Sequence, residues 1–421
     1  MSTTLLLAAA CGPTPDDHAE PARRTPVRIA DVPAHLPVPR GEGSTAADDF
    51  NGDGHRDLVL NDLVKAQAHA DDAGIGIVYG SERGLTPGAR QLLSPRRQAA
   101  PTKGRLPAVF DAEAACDLDK DGFTDLVVST DPPYDGQGRP PVPLQLLFGS
   151  PDGLTGKAVK LAIPDAARAG QDWPDQPVCG DFDGDGAQDL VVHASAGQLS
   201  FLRGPFTRKG SPKAAGEPVR APGNAPVGPA ADVDDDGYDD LVVRTAQGAG
   251  RAAVVLGGPA GPARTGVVLP AGIDVALGAF GKGENELDAA VGTLDETSLR
   301  YDLPAAPGRG TLDSPGSMLD AADFDGDGLS ELVSSGSRVR IFRGRTTGLT
   351  TAGMVTVAPP GPGTTRVVTA GDFDGDGRAE LVVRAYVGET KDTVAVHPGT
   401  KKGLLAAEPS VTFSTSAFLT P

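Results

Sequence analysis

The chain has 421 residues, a formal net charge of −18, and 56 glycines and 38 prolines. Glycine and proline together make up about a fifth of it, which excludes a mainly helical protein because both disfavour helix interiors. The acidic balance speaks against nucleic acid or anionic lipid as a partner. Hydrophobic residues at 39% and charged residues at 22% suit a loop-rich, all-β fold.

Met1 to Cys11 contains the apolar run Leu5–Ala10, far shorter than the ~20 residues that span a bilayer. Small residues ahead of a cysteine are similar to the end of a bacterial lipoprotein signal. Export and lipid attachment at Cys11 are therefore expected, although no Lys or Arg precedes the run and Ala8 stands where Leu is usual. Arginine (27) well above lysine (11) fits a GC-rich bacterial genome. Residues 12–40 carry seven prolines and no apolar periodicity, and read as an extended tether.

From Asp49 onward one pattern recurs: Asp-x-Asp-x-Asp-Gly-x-x-Asp/Glu-Leu, usually followed by Val-Val. The first copy has Asp49, Asn51, Asp53 and Asp57; the second has Asp117, Asp119, Asp121 and Asp125. The third has Asp181, Asp183, Asp185 and Asp189, and the fourth Asp232, Asp234, Asp236 and Asp240. Two further copies end in Glu: Asp323, Asp325, Asp327 and Glu331, then Asp372, Asp374, Asp376 and Glu380. Four acids at this spacing would arise ~0.1 times by chance in such a chain.

The step from 232 to 323 is a doubled period. A degenerate copy fills it, running from Gly278, Phe280 and Gly281 to Leu287-Asp288-Ala289-Ala290-Val291; it keeps the Phe and the glycines and has lost the acids. A second marker follows each acidic start, an apolar segment ending in Gly, as at Tyr79-Gly80, Phe148-Gly149 and Phe342-Arg343-Gly344. Short apolar runs between glycine turns read as antiparallel strands. Each repeat then parses as a four-stranded meander, the unit of a β-propeller blade, and seven close into a ring because a lone blade cannot bury both faces.

Carboxylates at positions 1, 3, 5 and 9 of a tight loop, with the carbonyl of position 7, form a hard-oxygen set that selects Ca²⁺. The position-7 carbonyls belong to His55, Phe123, Ala187, Tyr238, Leu329 and Arg378. About six Ca²⁺ sites are expected, one per acidic blade. The loop is not an EF-hand, since position 12 is Val128 in the second copy and Ser334 in the fifth acidic copy, and a strand follows.

Cys116 and Cys179 occupy nearly equivalent positions in successive repeats, as an inter-repeat disulfide or as two buried thiols. The extra chain length lies mainly on the face opposite the acidic loops. It includes Asn61–Gly74, Ser129–Pro143 and a connection carrying Arg96, Arg97, Lys103 and Arg105, a basic island proposed to contact a partner. Trp173, the sole tryptophan, reads as packing near a blade junction. No catalytic constellation is present: no Gly-x-Ser-x-Gly, His-Glu-x-x-His, Cys-x-x-Cys or P-loop. Val27–Ala30 and Val411–Ser414 are both candidates for the strand that closes the ring.

Motif, spacing and seven-fold repetition over residues 41–421 resemble the FG-GAP/VCBS repeats of the integrin α-subunit propeller and its secreted bacterial relatives. The resemblance implies a seven-bladed propeller with calcium in the blade loops and a role in extracellular adhesion or recognition rather than chemistry. The degenerate fifth blade departs from the metal pattern. A carbohydrate-binding propeller, or a non-catalytic part of a polysaccharide-degrading system, is the second expectation. A monomer recognising an extracellular protein or glycan is the expected partner reading.

Overall fold

The computed structural model describes residues 33–63, 74–195, 197–245, 250–281, 287–314, 316–387 and 391–419. Their strands form seven consecutive antiparallel sheets, the blades of a propeller. Blade one comprises Leu58–Leu60, Ile75–Val78 and Arg90–Leu93. Blade two comprises Phe110–Cys116, Asp125–Thr130, Gln145–Leu147 and Val159–Lys160. In blade three Val178–Gly180, Asp189–Ala194 and Gln198–Arg203 are followed by an outer position split into Ala214–Ala215 and Val219–Arg220. Blade four runs Gly223–Ala231, Asp240–Thr245, Arg251–Leu256 and Arg264–Ala271, and blade five Asp274–Gly278, Asp288–Gly292, Thr297–Tyr301 and Gly308–Leu312. Blade six has Met318–Ala322, Glu331–Ser335, Val339–Arg343 and Thr350–Thr356. Blade seven has Thr364–Gly371, Glu380–Tyr386, Thr393–His397 and Val411–Ser414, with a small added hairpin of Gly399–Thr400 and Leu404–Leu405.

The Leu-Val-Val strands are covered on both faces. Asp189–Ala194 is buried at five of its six residues, which is why these segments read as continuous apolar runs rather than alternating ones. The core lies between blades. Phe50 of blade one packs with Leu126, Val128 and Leu147 of blade two. Phe182 meets Leu241 and Val243 of blade four, and Phe324 meets Leu381 and Val383 of blade seven. In each case the residue at position 2 of the acidic loop is the one that enters the next blade. Phe280 does the same in the degenerate fifth blade, against Leu332 and Phe342. Burying one such side chain stabilises by ~1.5–3 kcal/mol, so a reason to keep the Phe persists where positions 1 and 3 carry no acid.

Blade one departs from the expected four strands. Its innermost position holds no strand among the described residues, because the chain reaches Asp49 from the outer rim. Leu36 bridges Ala89 in parallel on the outside of blade one. The chain then crosses the acidic loops, where Gly43 N–H donates to Gly52 and Ser44 N–H to Gly122. Residues 33–40, the end of the segment expected to be a free tether, therefore lie along blade one.

Val411–Ser414 pairs with Thr393–His397 and supplies the outer strand of blade seven. Val27–Ala30 lies outside the described residues, as does Cys11. Among the described residues, side chains span the seam between blades seven and one. Arg56 donates to Ala370 O, Arg90 to Ala417 O, and Arg384 to the carbonyls of Asn61 and Asp62. The cysteines form a disulfide, Cys116–Cys179, with Cα atoms 6.3 Å apart. It ties the inner strands of blades two and three at the point where each enters its acidic loop. Among the described residues no helix is long and apolar enough to cross a membrane.

Candidate metal centre

Each acidic loop is held by its own carboxylates. The position-1 carboxylate accepts backbone N–H groups of the turn, as Asp49 does from Gly52 at 2.7 Å and Gly54 at 2.7 Å. The position-9 carboxylate reaches back to position 2: Phe50 N–H donates to Asp57, Leu118 to Asp125, Val233 to Asp240, Phe324 to Glu331 and Phe373 to Glu380. Its other oxygen accepts the N–H of the glycine that ends the third strand. These pairs are Gly80 to Asp57, Gly149 to Asp125, Gly204 to Asp189, Gly257 to Asp240 and Gly344 to Glu331. One acid thereby joins the two sequence markers.

The same geometry explains the glycine. A Cβ at Gly80, Gly149, Gly204, Gly257 or Gly344 would stand 2.2–2.4 Å from the position-8 carbonyl oxygen, that of Arg56, Thr124, Gln188, Asp239 or Ser330. Gly149→Ala is expected to destabilise the protein by about 1–3 kcal/mol, the cost of forcing atoms into a packed site. An unshifted urea midpoint would show that the close approach is not needed.

Five groups of three acids converge. They are Asp117, Asp119 and Asp125; Asp181, Asp183 and Asp189; Asp232, Asp234 and Asp240; Asp323, Asp325 and Glu331; and Asp372, Asp374 and Glu380. In each, one oxygen from every residue lies within 4.8 Å of the others. These are positions 1, 3 and 9 of the sequence pattern. The first loop has the same fold with Asn51 at position 3, leaving Asp49 and Asp57 as its acids. Six metal loops were expected; five carry three convergent acids.

Position 5 shapes the turn. Asp53, Asp121, Asp185, Asp236, Asp327 and Asp376 each accept the N–H of their position-7 residue: His55, Phe123, Ala187, Tyr238, Leu329 and Arg378. They lie outside the convergent groups.

The loops pass a direct test for a cation. Oδ1 of Asn51, Asp119, Asp234 and Asp325, all at position 3, is buried without a hydrogen-bond partner, as are Oδ1 of Asp181 and Oδ2 of Asp189. A buried acceptor without a donor is costly, and a hard cation is the partner such oxygens fit. Burial raises the position-9 acids, with further upward pressure from the neighbouring carboxylates and opposition from the backbone donors. Asp125 is pushed up to about 8, Glu380 to about 8, Asp189 to about 7, Glu331 to about 7 and Asp240 to about 6.

The fifth blade corrects one expectation. Its acids are not all lost: Asp288 occupies the position-9 place, and it accepts the N–H of Asp302 at 2.9 Å where other blades present the glycine. Burial pushes it up to about 6. The signal was in the sequence, since Asp288-Ala-Ala-Val aligns with Asp-Leu-Val-Val once a one-residue insertion is allowed. Position 9 therefore staples the loop even where positions 1 and 3 offer no carboxylate.

Residues 117–192 and 310–383 match the FG-GAP-like repeat family. No curated protein matches the chain. Among solved structures, the chain is similar to BBS1N in a crystal structure of its complex with ARL6DN soaked with mercury. Identity is 15%, coverage 73% of this chain and 80% of that one, and the TM-score 0.41. It is also similar to the dihydro-heme d1 dehydrogenase NirN in complex with DHE, at 12% identity, 91% and 79% coverage and a TM-score of 0.41.

Proposed function

We propose that this chain, which carries FG-GAP-like repeats within a seven-bladed propeller, is a non-catalytic, calcium-binding recognition module of the bacterial cell exterior. The observation that carries the metal is the set of buried, unpaired position-3 oxygens inside convergent carboxylate groups. Oxygen donors alone, several of them anionic, suit Ca²⁺ rather than zinc or copper. Calcium would be held by positions 1, 3 and 9, and its contribution is charge neutralisation in loops that also link blades. Asp49 O accepts from Thr124 N–H, Asp181 O from Asp239 N–H and Asp323 O from Ala379 N–H, each in the following blade.

Two further observations support an exterior role. A disulfide joins blades two and three, as is common in oxidising compartments, and the N-terminal sequence is similar to a lipoprotein signal. Recognition would use the face opposite the acidic loops. There Arg96, Arg97, Lys103 and Arg105 are exposed beside Leu106 and Val109, which are exposed at 50% and 36%. Basic and apolar side chains together suit an acidic protein surface. Residues 64–73 of the long blade-one loop lie outside the described residues.

A glycan ligand is the second reading, favoured by one feature. Trp173 stands edge-to-face on Tyr134, with centroids 5.5 Å apart. The tryptophan borders a recess of about 580 Å³ whose other walls include Glu113, Asp131 and Asp175. Aromatic faces beside carboxylates can hold a sugar. Metal analysis of the purified protein tests the calcium reading: about five ions per chain support it, and none refutes it. A glycan array compared with pull-down by charge-reversed Arg96, Arg97, Lys103 and Arg105 then separates the two recognition readings.

A further inference from the structure

The position-3 carboxylates are shared between two customers. One oxygen, Oδ1, is buried and unpaired in Asp119, Asp234 and Asp325. The other, Oδ2, meets an arginine in the same three residues: Arg208 Nε at 2.6 Å, Arg264 Nη2 at 3.3 Å, and Arg343 Nη1. Asp183 Oδ2 likewise meets Arg203 Nε at 3.2 Å. None of these arginines belongs to the acidic motif, and they arrive by different routes. Arg203 and Arg343 immediately precede the glycine of the second marker, where blades one and two have Tyr79 and Phe148. Arg208 comes from blade three, lies over the Phe148 ring at 5.0 Å and reaches the blade-two loop. Arg264 begins the outer strand of blade four.

The arginine follows the carboxylate. In blade one position 3 is the neutral Asn51, which donates to Pro39 O and Asp53 and faces no arginine pair among the described residues. Blade seven is the exception: Asp374 has no arginine ion pair among the described residues, its neighbour Arg378 pairing with Asp376 instead.

We infer that these four arginines are built-in counter-cations, which stabilise the metal-free loops and weaken calcium binding in blades two, three, four and six relative to blade seven. The inference rests on the calcium reading above. An arginine beside a metal ligand has two opposed effects: it orients the ligand, and it places a positive charge beside the ion. Orientation adds little here, because burial already fixes these side chains; that of Asp325 is only 3% exposed. The charge remains, bound to the same carboxylate as the ion would be, so repulsion prevails. The loops would then tolerate low calcium without collapsing under their own acids.

Calcium titration calorimetry on the full chain, stripped with a chelator and at low salt, tests this with Arg343→Met and, as a fold-safe second variant at a more exposed arginine, Arg264→Met. Each is expected to tighten one site about tenfold, a change of ~1.4 kcal/mol. Each should also lower the chelated Tm while leaving the calcium-saturated Tm near that of the parent. Asp374→Asn is expected to remove the tightest step of the parent titration. Weaker or unchanged affinity in both arginine variants, with the parent sites still filling, overturns the counter-cation role alone. Absence of calcium binding in the parent and in every variant overturns the calcium reading with it.

Discussion

On the calcium reading proposed above, stripping divalent cations is expected to lower the Tm of this protein far more at about pH 8.5 than at about pH 5.5. The position-9 acids are the reason. Asp125 and Glu380 are held up to about 8, and Asp189 and Glu331 to about 7, chiefly by burial. An acid whose pKa is raised on folding holds its proton more tightly in the folded state. The stability this gives the metal-free ring is fully present below the ordinary carboxylate pKa and is lost as pH rises through 6 to 8. Calcium binding would have the opposite pH dependence, since it needs the carboxylates ionised and releases their protons. At high pH the position-9 acids of the metal-free loops, which the arginines facing position 3 do not pair, carry buried charge, and each site occupied by calcium would add ~2.7 kcal/mol when free calcium stands at a hundred times Kd. Melting curves at the two pH values, with calcium and with chelator, check this. A chelator effect that is equal at both, or larger in acid, would detach the raised acids from metal binding.

Arg384→Met is expected to be the most damaging single change at the ring seam, lowering unfolding free energy by ~3–5 kcal/mol. Arg384 is 2% exposed. Its Nε and Nη2 both contact Asp392 Oδ2, at 2.9 and 2.7 Å. Its remaining donors cross to blade one, at 2.6 Å from Asn61 O and 3.1 Å from Asp62 O. The substitution strands a buried carboxylate and breaks the crossing together. Asp392 is itself tied in by Val387 N–H and by its own N–H to Thr415 Oγ1, next to the closing strand. The double variant Arg384→Met/Asp392→Leu should recover part of the loss, because the stranded charge is gone while the seam contact stays broken. Urea denaturation of the two variants and the parent decides it. A double variant no better than the single would place the whole cost in the lost contacts to blade one.

The acidic loop was legible because it is a local device. Asp49 accepts from Gly52 and Gly54, and Asp57 from Phe50, within a nine-residue turn, so spacing alone exposes it. Position 2 and the terminal glycine were legible as markers but not as causes. Phe50 is conspicuous in the sequence, yet its purpose lies in blade two. Gly149 is needed because of a carbonyl at Thr124, in the acidic loop of its own blade. Asp288 escaped because one inserted residue shifts its count. The arginines escaped altogether: Arg208 and Asp119 are far apart in sequence and meet only across a blade boundary. Position 5 was legible as a fixed acid but not as a turn-shaping one, as Asp121 is for Phe123.

The sequence by itself determined the all-β class, the seven-fold repeat and the acidic loops, because each follows from hydrogen bonds and apolar periodicity within about fifty residues of chain. Only the tertiary structure decided how the ring closes, that Cys116 and Cys179 are joined, and which acids converge. Closure depends on Val411–Ser414 completing blade seven and on Arg56, Arg90 and Arg384 spanning the seam. The three arginine contacts join residues that are hundreds of positions apart. Nothing local encodes them, and they exist only once the seven blades have packed side by side.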